Sequence, residues 1–261
     1  MAAHDIDGIP HERWVAVSEV PLRQGSLRER KRAATIDEIK SVALGQLAAD
    51  SGQMTLRGVA REVGMTVQSL YHYFPSRDDL ITALVADAHN ALADAVQAAG
   101  QASRTLAAGE RFVQVALAYR QWAVDHRARF LLIYGTPVPG YEAPREGLTT
   151  SAARRLGATF SDVIFGDWTA TETAGIRTPH EHARLTAALT TAVELVSPGL
   201  PPTAFGLGIE LWGRIHGLVM LEILGHLPWL GPAAAGANYR SVILRTAAEL
   251  EHIRRHGTNS G

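Results

Sequence analysis

The stretch from Thr55 to Asp79, TLRGVAREVGMTVQSLYHYFPSRDD, leaves this chain little choice of local fold. Leu56, Val59, Ala60 and Val63 recur at helical spacing, and Thr55 stands where a helix needs its N-cap. Gly64 follows, a residue that accepts the positive φ on which helices end. Thr66 is a second N-cap candidate, and Val67, Leu70 and Tyr71 give the next helix its inner side. That helix must stop before Pro75, whose ring disfavours helical geometry at Phe74. Ser76 caps a third helix with Asp78 and Asp79 in its first turn, where carboxylates complement the dipole. The small Ala60, four residues before Gly64, lets two helices cross closely. The spacing therefore predicts a helix-turn-helix.

A helix-turn-helix suits DNA, and the charge distribution agrees although the net charge of −1 does not. From Arg23 to Arg77 there are nine Lys/Arg against five Asp/Glu; from Asp78 onward there are 15 against 17. A basic end on a near-neutral body is the electrostatic footprint of a DNA reader with a separate second domain. Arg28, Arg30, Lys31 and Arg32 crowd the start of the first helix, where the dipole disfavours them. Phosphate contact accounts for their placement.

Other classes of function find no support. Without cysteine the chain has no disulfide, thiol nucleophile or cysteine-based zinc site. His180-Glu181-His182 spaces two histidines so that they diverge on a helix. The patterns H-E-x-x-H and G-x-S-x-G are absent, and Gly206-Leu207-Gly208 lies inside a helix and follows no strand. No catalytic residue, metal site or cofactor is expected. An all-α enzyme and a constitutive architectural DNA-binding protein remain the alternatives; the second would leave most of the chain without a task. Residues 1–22 lack the apolar core of a signal peptide, and Glu210, Arg214, His216 and Glu222 interrupt the apolar run Ile209 to Leu227. The expected location is the cytoplasm, without membrane attachment.

Along the chain, helical periodicity recurs and strand-like alternation does not. An N-terminal arm (1–26) with Pro10 and Pro21 is expected to be disordered, with Arg13 and Arg23 as candidates for a DNA groove. Helix one starts near Leu27 with Ile36, Ile39, Ala43 and Leu47 inward, and the helix from Ser76 runs to about Ala99. Further helices are predicted over Phe112 to His126, Phe130 to Tyr134, Glu146 to Phe165, His180 to Val196, Thr203 to Leu227 and Ala237 to Arg255. Loops are expected at Gly135 to Gly140, Gly166 to Pro179, Ser197 to Pro202 and Pro228 to Gly236. The fold class is all-α, with about nine helices: a three-helix DNA-binding domain over 27–80, a helical effector-binding and dimerisation domain over 81–255, and a tail over 256–261.

Several of these features occur in the order found in one family. A basic amphipathic helix precedes Ser51-Gly52, followed by Met54-Thr55-Leu56, Val59-Ala60 and Gly64-Met65-Thr66. Ser69-Leu70-Tyr71-His72-Tyr73-Phe74-Pro75-Ser76-Arg77 comes last, with Tyr73 and Arg77 as mild variants of the usual pattern. The region resembles the DNA-binding domain of the TetR (tetracycline-repressor-type) regulators. Tyr119-Arg120-Gln121-Trp122-Ala123, Phe130 to Gly135, Val138 to Tyr141 and Trp212 to Gly217 further resemble one TetR subgroup, named for a Trp-His-Gly signature in its effector domain. The resemblance implies a homodimeric, ligand-responsive regulator, most simply a repressor released from a palindromic operator by a small molecule.

Candidate sites follow. Thr66, Val67, Gln68, Ser69, Tyr71 and His72 lie on or beside a helix that fits the major groove, and Gln68 can bond adenine bidentately. The resemblance implies that Thr55, Tyr71 and Arg77 hold phosphates, and Arg57 is added as a fourth anchor. Tyr119, Trp122, Phe130, Tyr134, Phe160, Trp212 and His216 form an aromatic set with a few polar tips, which suits an apolar, aromatic or acyl-bearing ligand. Arg120, Arg127, Arg129 and Arg214 could admit an anion but suit a surface as well. The apolar helix Thr203 to Leu227 and the last helix, through Tyr239, Val242, Thr246, Leu250 and Ile253, are expected to pair with their symmetry mates.

Overall fold

The computed structural model describes residues 26–49, 54–135, 138–144, 146–176, 190, 193–194 and 199–256. Ten helices and no strand occur among the described residues. The N-terminal arm with Arg13 and Arg23, the Ser51-Gly52 turn and the tail 257–261 lie outside them, as does most of the helix expected over His180 to Val196.

The chain divides into two compact units, residues 1–37 and 38–261. In the first, helix α1 (Leu27–Ala49) opens with a reciprocal cap: Glu29 accepts from the Ser26 N–H at 2.6 Å, and Ser26 Oγ accepts from the Glu29 N–H at 3.3 Å. Arg28, Arg30, Lys31 and Arg32 are exposed on this turn.

The second unit holds the rest of α1, from Glu38 onward, and all the other helices. Helices α2 (Leu56–Val63), α3 (Val67–Tyr71) and α4 (Arg77–Ala102) begin as cap chemistry dictates. Thr55 Oγ1 accepts from the Gly58 N–H, Thr66 Oγ1 from the Ser69 N–H, each at 3.1 Å, and Ser76 Oγ from the Asp79 N–H at 3.0 Å. Gly64 takes φ 79°, and the next residue's N–H reaches back to the Ala60 carbonyl at 2.9 Å, turning the chain from α2 into α3. Ile39, Ala43, Met54, Leu56, Val59, Ala60, Leu70, Phe74 and Leu80 are buried at this end.

Helix α4 continues into a bundle of α5 (Ala108–Asp125), α6 (Arg127–Tyr134), α7 (Leu148–Phe165), α8 (Ala170–Ala174), α9 (Pro202–Ile223) and α10 (Gly231–His256). It packs along α7 and α5, and α10 and α9 close on α5. Tyr239 of α10 donates from its hydroxyl to the Ala116 carbonyl of α5 at 2.9 Å, a buried tie between them.

Three expectations need correction. The Thr-rich segment after Gly166 is not all loop, because Thr169 and Glu172 form a capping box that starts α8. The last helix begins at Gly231, not near Ala237; Pro232 is tolerated in a first turn, and the alanine run behind it extends the helix. The surfaces available for pairing also differ from expectation. Leu207, Leu211, Val219, Ile223, Tyr239, Thr246 and Leu250 are buried within their own chain, whereas Ile209, Leu221, Leu224 and Leu244 are exposed. No helix among the described residues is long and apolar enough to cross a membrane.

Candidate functional site

The helix-turn-helix presents its polar residues outward. Leu70 is fully buried, while Tyr71 next to it is 46% exposed. Gln68, Ser69 and His72 share that exposure, as do Thr55, Arg57 and Thr66; Val67 and Arg77 are half-buried. Two candidates are more committed than their sequence suggests. The Thr66 and Ser69 hydroxyls bond each other at 2.8 Å, besides the cap. Arg77 donates from Nε to the Met54 carbonyl at 2.9 Å, which ties the start of α4 to the residue before the Thr55 cap. Its Nη1 lies 3.6 Å from Asp78. Arg77 is thus a structural strut, whatever else its guanidinium touches.

Six of the seven predicted aromatic-site residues converge between α5, α6, α7 and α9. Tyr119 is the hub: its ring lies edge-on to Phe130 and Phe160, both at 5.8 Å, and to Trp212 at 5.3 Å. His216 stacks on Trp212 at 5.2 Å and 13°, as one helical turn dictates, and its Nδ1 lies 2.8 Å from the Tyr119 hydroxyl. Tyr134 meets His216 edge-on at 4.7 Å and Phe130 at 5.2 Å. Trp122, the seventh, stacks on His126 at 5.0 Å, and among the described residues no ring contact joins it to the cluster.

Every polar tip in the cluster is held neutral. Burial lowers the His216 pKa and raises those of Tyr119 and Tyr134 above the usual tyrosine value. The arginines considered for an anion are mostly committed elsewhere. Arg120 forks onto Glu222, Arg214 binds Glu210 and Glu249, and Arg127 donates to the Ile223 carbonyl. Arg129 is exposed.

One member escaped the sequence reading. His89, on α4, meets Tyr134 edge-on at 5.8 Å, and its Nδ1 is buried without a hydrogen-bond partner. Burial lowers its pKa to about 4. An unpartnered buried nitrogen costs roughly 1–3 kcal/mol, so it calls for a physical reason. Thr82, seven residues earlier on the same face of α4, bonds the Tyr141 hydroxyl at 3.0 Å.

The cluster backs onto a cavity of about 210 Å³ between α7 and α9, lined by Gly157, Phe160, Ile164, Phe165, Phe205 and Trp212 among others. At Gly157 a Cβ would meet nothing within 4 Å, and at Gly208 it would stand 3.6 Å from the Phe165 ring. The two glycines leave room that larger residues would fill. The lining is almost wholly apolar, with Ser161 the polar side chain on its wall.

Comparison with known proteins then decides the family. Residues 50–84 match the family described as bacterial regulatory proteins, tetR family. Residues 112–245, just over half of the chain, match the tetracyclin repressor-like C-terminal domain. The chain belongs to the TetR family. This TetR-family chain is 38% identical over 141 residues to the HTH-type transcriptional regulator Rv1816 of Mycobacterium tuberculosis and to Mb1846 of Mycobacterium bovis. Each match covers 53% of this chain and 60% of the relative's length. Among solved structures, SCO4313 is 31% identical, covers 85% of this chain and 98% of its own, and superposes with a TM-score of 0.68. A protein of unknown function from Rhodococcus sp. RHA1, 20% identical and covering 87% and 98%, shares the fold at a TM-score of 0.55.

Proposed function

We propose that this chain is a ligand-responsive, DNA-binding transcription regulator, a repressor released from a palindromic operator in the cytoplasm by a small, mostly apolar effector. The observation that carries this reading is α3 itself. A five-residue helix with Leu70 fully buried offers Gln68, Ser69, Tyr71 and His72 to the outside, which suits base and phosphate contact in a major groove. Thr55, Arg57 and Arg77 flank it as phosphate anchors.

The effector site is assigned to the α7–α9 cavity with Phe160 and Trp212 as its inner wall, and the Tyr119–His216 pair behind them as the responsive element. The narrower placement in the Trp-His-Gly subgroup is supported by the Trp212–His216 stack. Dimerisation is assigned to the side of α9 that carries Ile209, Gly213, Gly217, Leu221 and Leu224, with Leu244 of α10. These apolar residues are exposed, and the two glycines leave open space where another helix can approach. An effector that binds the DNA-incompetent state about 100-fold more tightly supplies about 2.7 kcal/mol of bias.

The test is a duplex selected from random DNA by the purified protein, followed by fluorescence anisotropy, with small apolar compounds added in turn. A compound that releases the DNA should quench tryptophan emission over the same concentration range, and Trp212→Phe should shift both curves together. Release that leaves tryptophan emission untouched would place the effector elsewhere.

A further inference from the structure

Where α5, α7, α8 and the end of α10 meet, a second cavity of about 380 Å³ opens, separate from the one between α7 and α9 although Ile164 lines both. Its size falls within the range of about 300–1,000 Å³ that small-molecule sites occupy. Phe112, Val163, Ile164 and Leu250 form a buried apolar wall. Trp168, Glu172 and Arg254 line it as well. The Trp168 indole is fixed edge-on against Phe165 at 5.5 Å, and the Arg254 guanidinium lies 6.0 Å from its ring. Arg254 Nε donates to Glu172 Oε1 at 2.8 Å, while the Thr169 N–H donates to Oε2 at 2.6 Å. A cation over an indole and beside a carboxylate is how an aromatic site holds an organic cation. Here the chain supplies that cation itself.

We propose that this cavity binds a small lipophilic organic cation, a quaternary ammonium with an apolar body, which takes the place of the Arg254 guanidinium between Trp168 and Glu172. Nothing separates the cavity from that pair, because both residues lie on its wall. Arg254 has somewhere to go: it stands on the last turn of α10 with its side chain 30% exposed, so it can swing into water. Glu172 is ionised at neutral pH, since hydrogen bonds from Arg254 and the Thr169 backbone hold its carboxyl down at about 2. Glu251 adds a second negative charge to the wall. Its Oε1 lies 2.6 Å from where a Cβ on Gly109 would stand, and among the described residues no ion pair engages it. An anion in the cavity would lose water facing these two carboxylates. Arg254 is already shared between Glu172 and the Asp167 carbonyl, and Arg255 donates from Nε to the Glu251 carbonyl at 3.2 Å. A quaternary ammonium suits the apolar wall because it carries no N–H that would need an acceptor there, and it still gains the face of the indole.

The experiment titrates three probes of similar shape calorimetrically into the full chain at neutral pH: benzyltrimethylammonium, the uncharged 2,2-dimethyl-1-phenylpropan-1-ol, and 4-tert-butylbenzoate. The cation should bind at least tenfold more tightly than the alcohol, and the benzoate more weakly than either. Trp168→Leu should remove most of the cation's advantage. Arg254→Met should tighten the cation at least tenfold, because the competing guanidinium is gone; a merely structural tie between Arg254 and Glu172 gives no such gain. A second readout does not depend on any variant folding: in the unsubstituted protein the Arg254 Nε–H resonance should lose its hydrogen-bonded shift when benzyltrimethylammonium is added and keep it with the alcohol. Equal binding of cation and alcohol, tighter binding of the benzoate, or an Arg254 resonance that stays in place refutes the proposal. So does a cation advantage that survives Trp168→Leu, or an Arg254→Met variant that binds the cation no better. Binding by none of the three refutes it too, and leaves the α7–α9 assignment, which rests on Phe160 and Trp212, untouched.

Discussion

Arg120 of α5 and Glu222 of α9 form the most heavily buried ion pair among the described residues, and removing one partner should show how much it holds. The contact is a fork, Nε to Oε2 at 2.8 Å and Nη2 to Oε1 at 2.5 Å, with side chains 14% and 17% exposed. The guanidinium also lies 5.9 Å from the Tyr239 ring and 3.2 Å from where a Cβ on Gly236 would stand, so α5, α9 and α10 meet around it. Glu222→Ala leaves that charge largely out of water with no carboxylate. Breaking a buried pair from one side costs about 3–5 kcal/mol, and the residual exposure places this case near the lower end, about 3 kcal/mol. Replacing both with Arg120→Met and Glu222→Leu should recover most of the loss, because the stranded charge disappears with its partner. Urea unfolding followed by far-UV circular dichroism, at one fixed protein concentration because association shifts apparent stability, measures both. A loss below about 1 kcal/mol for Glu222→Ala would mean that the pair behaves as a solvated surface bridge, refuting the reasoning.

Gly64→Ala forces a side chain into φ 79° and should destabilise by about 1–2 kcal/mol in the same unfolding assay, with Gly64→Asn costing less. His89 has a folded pKa of about 4 against an ordinary 6.5, so between these values the unfolded chain binds a proton that the folded chain does not. Stability should therefore fall as pH drops from about 6.5 to about 4, and His89→Gln should flatten that slope; an identical slope would assign the loss to other groups. Arg77→Ala should weaken DNA binding across sequences and lower the salt slope by about one unit. It should also lower the melting temperature through the lost Met54 contact, whereas Arg77→Lys should restore the salt slope but not the stability.

What was legible in the sequence was the chemistry that acts over three or four residues. Thr55, Thr66 and Ser76 cap the helices they precede, and Gly64 takes the left-handed turn, because each is decided by one side chain and the backbone beside it. The convergence of Tyr119, Phe130, Tyr134, Phe160, Trp212 and His216 was legible too, since large rings at helical spacing on an inward face must meet in a bundle core. The inner side of α9 was not. A helix apolar nearly all round offers more than one side that periodicity alone could turn inward, and its packing against α5, α8 and α10 decides that Leu207, Leu211 and Ile215 go inward while Ile209 stays out. The same applies to α10, where Tyr239 and Leu250 turned out to serve the core of their own chain. His89 was missed because a lone histidine beside alanines carries no pattern; its meaning arises from Tyr134, 45 residues away in sequence.

The central claim, that α3 reads operator DNA, is tested most directly by selecting binding sites from random duplex DNA with the protein and with its Gln68→Ala variant in parallel. The account predicts that the protein enriches a two-fold symmetric site. It predicts further that Gln68→Ala enriches the same site with preference relaxed at one symmetry-related pair of positions, a loss of about 1–3 kcal/mol per base contact. Enrichment of no site above the starting pool, or identical base preferences for the two proteins, would contradict it.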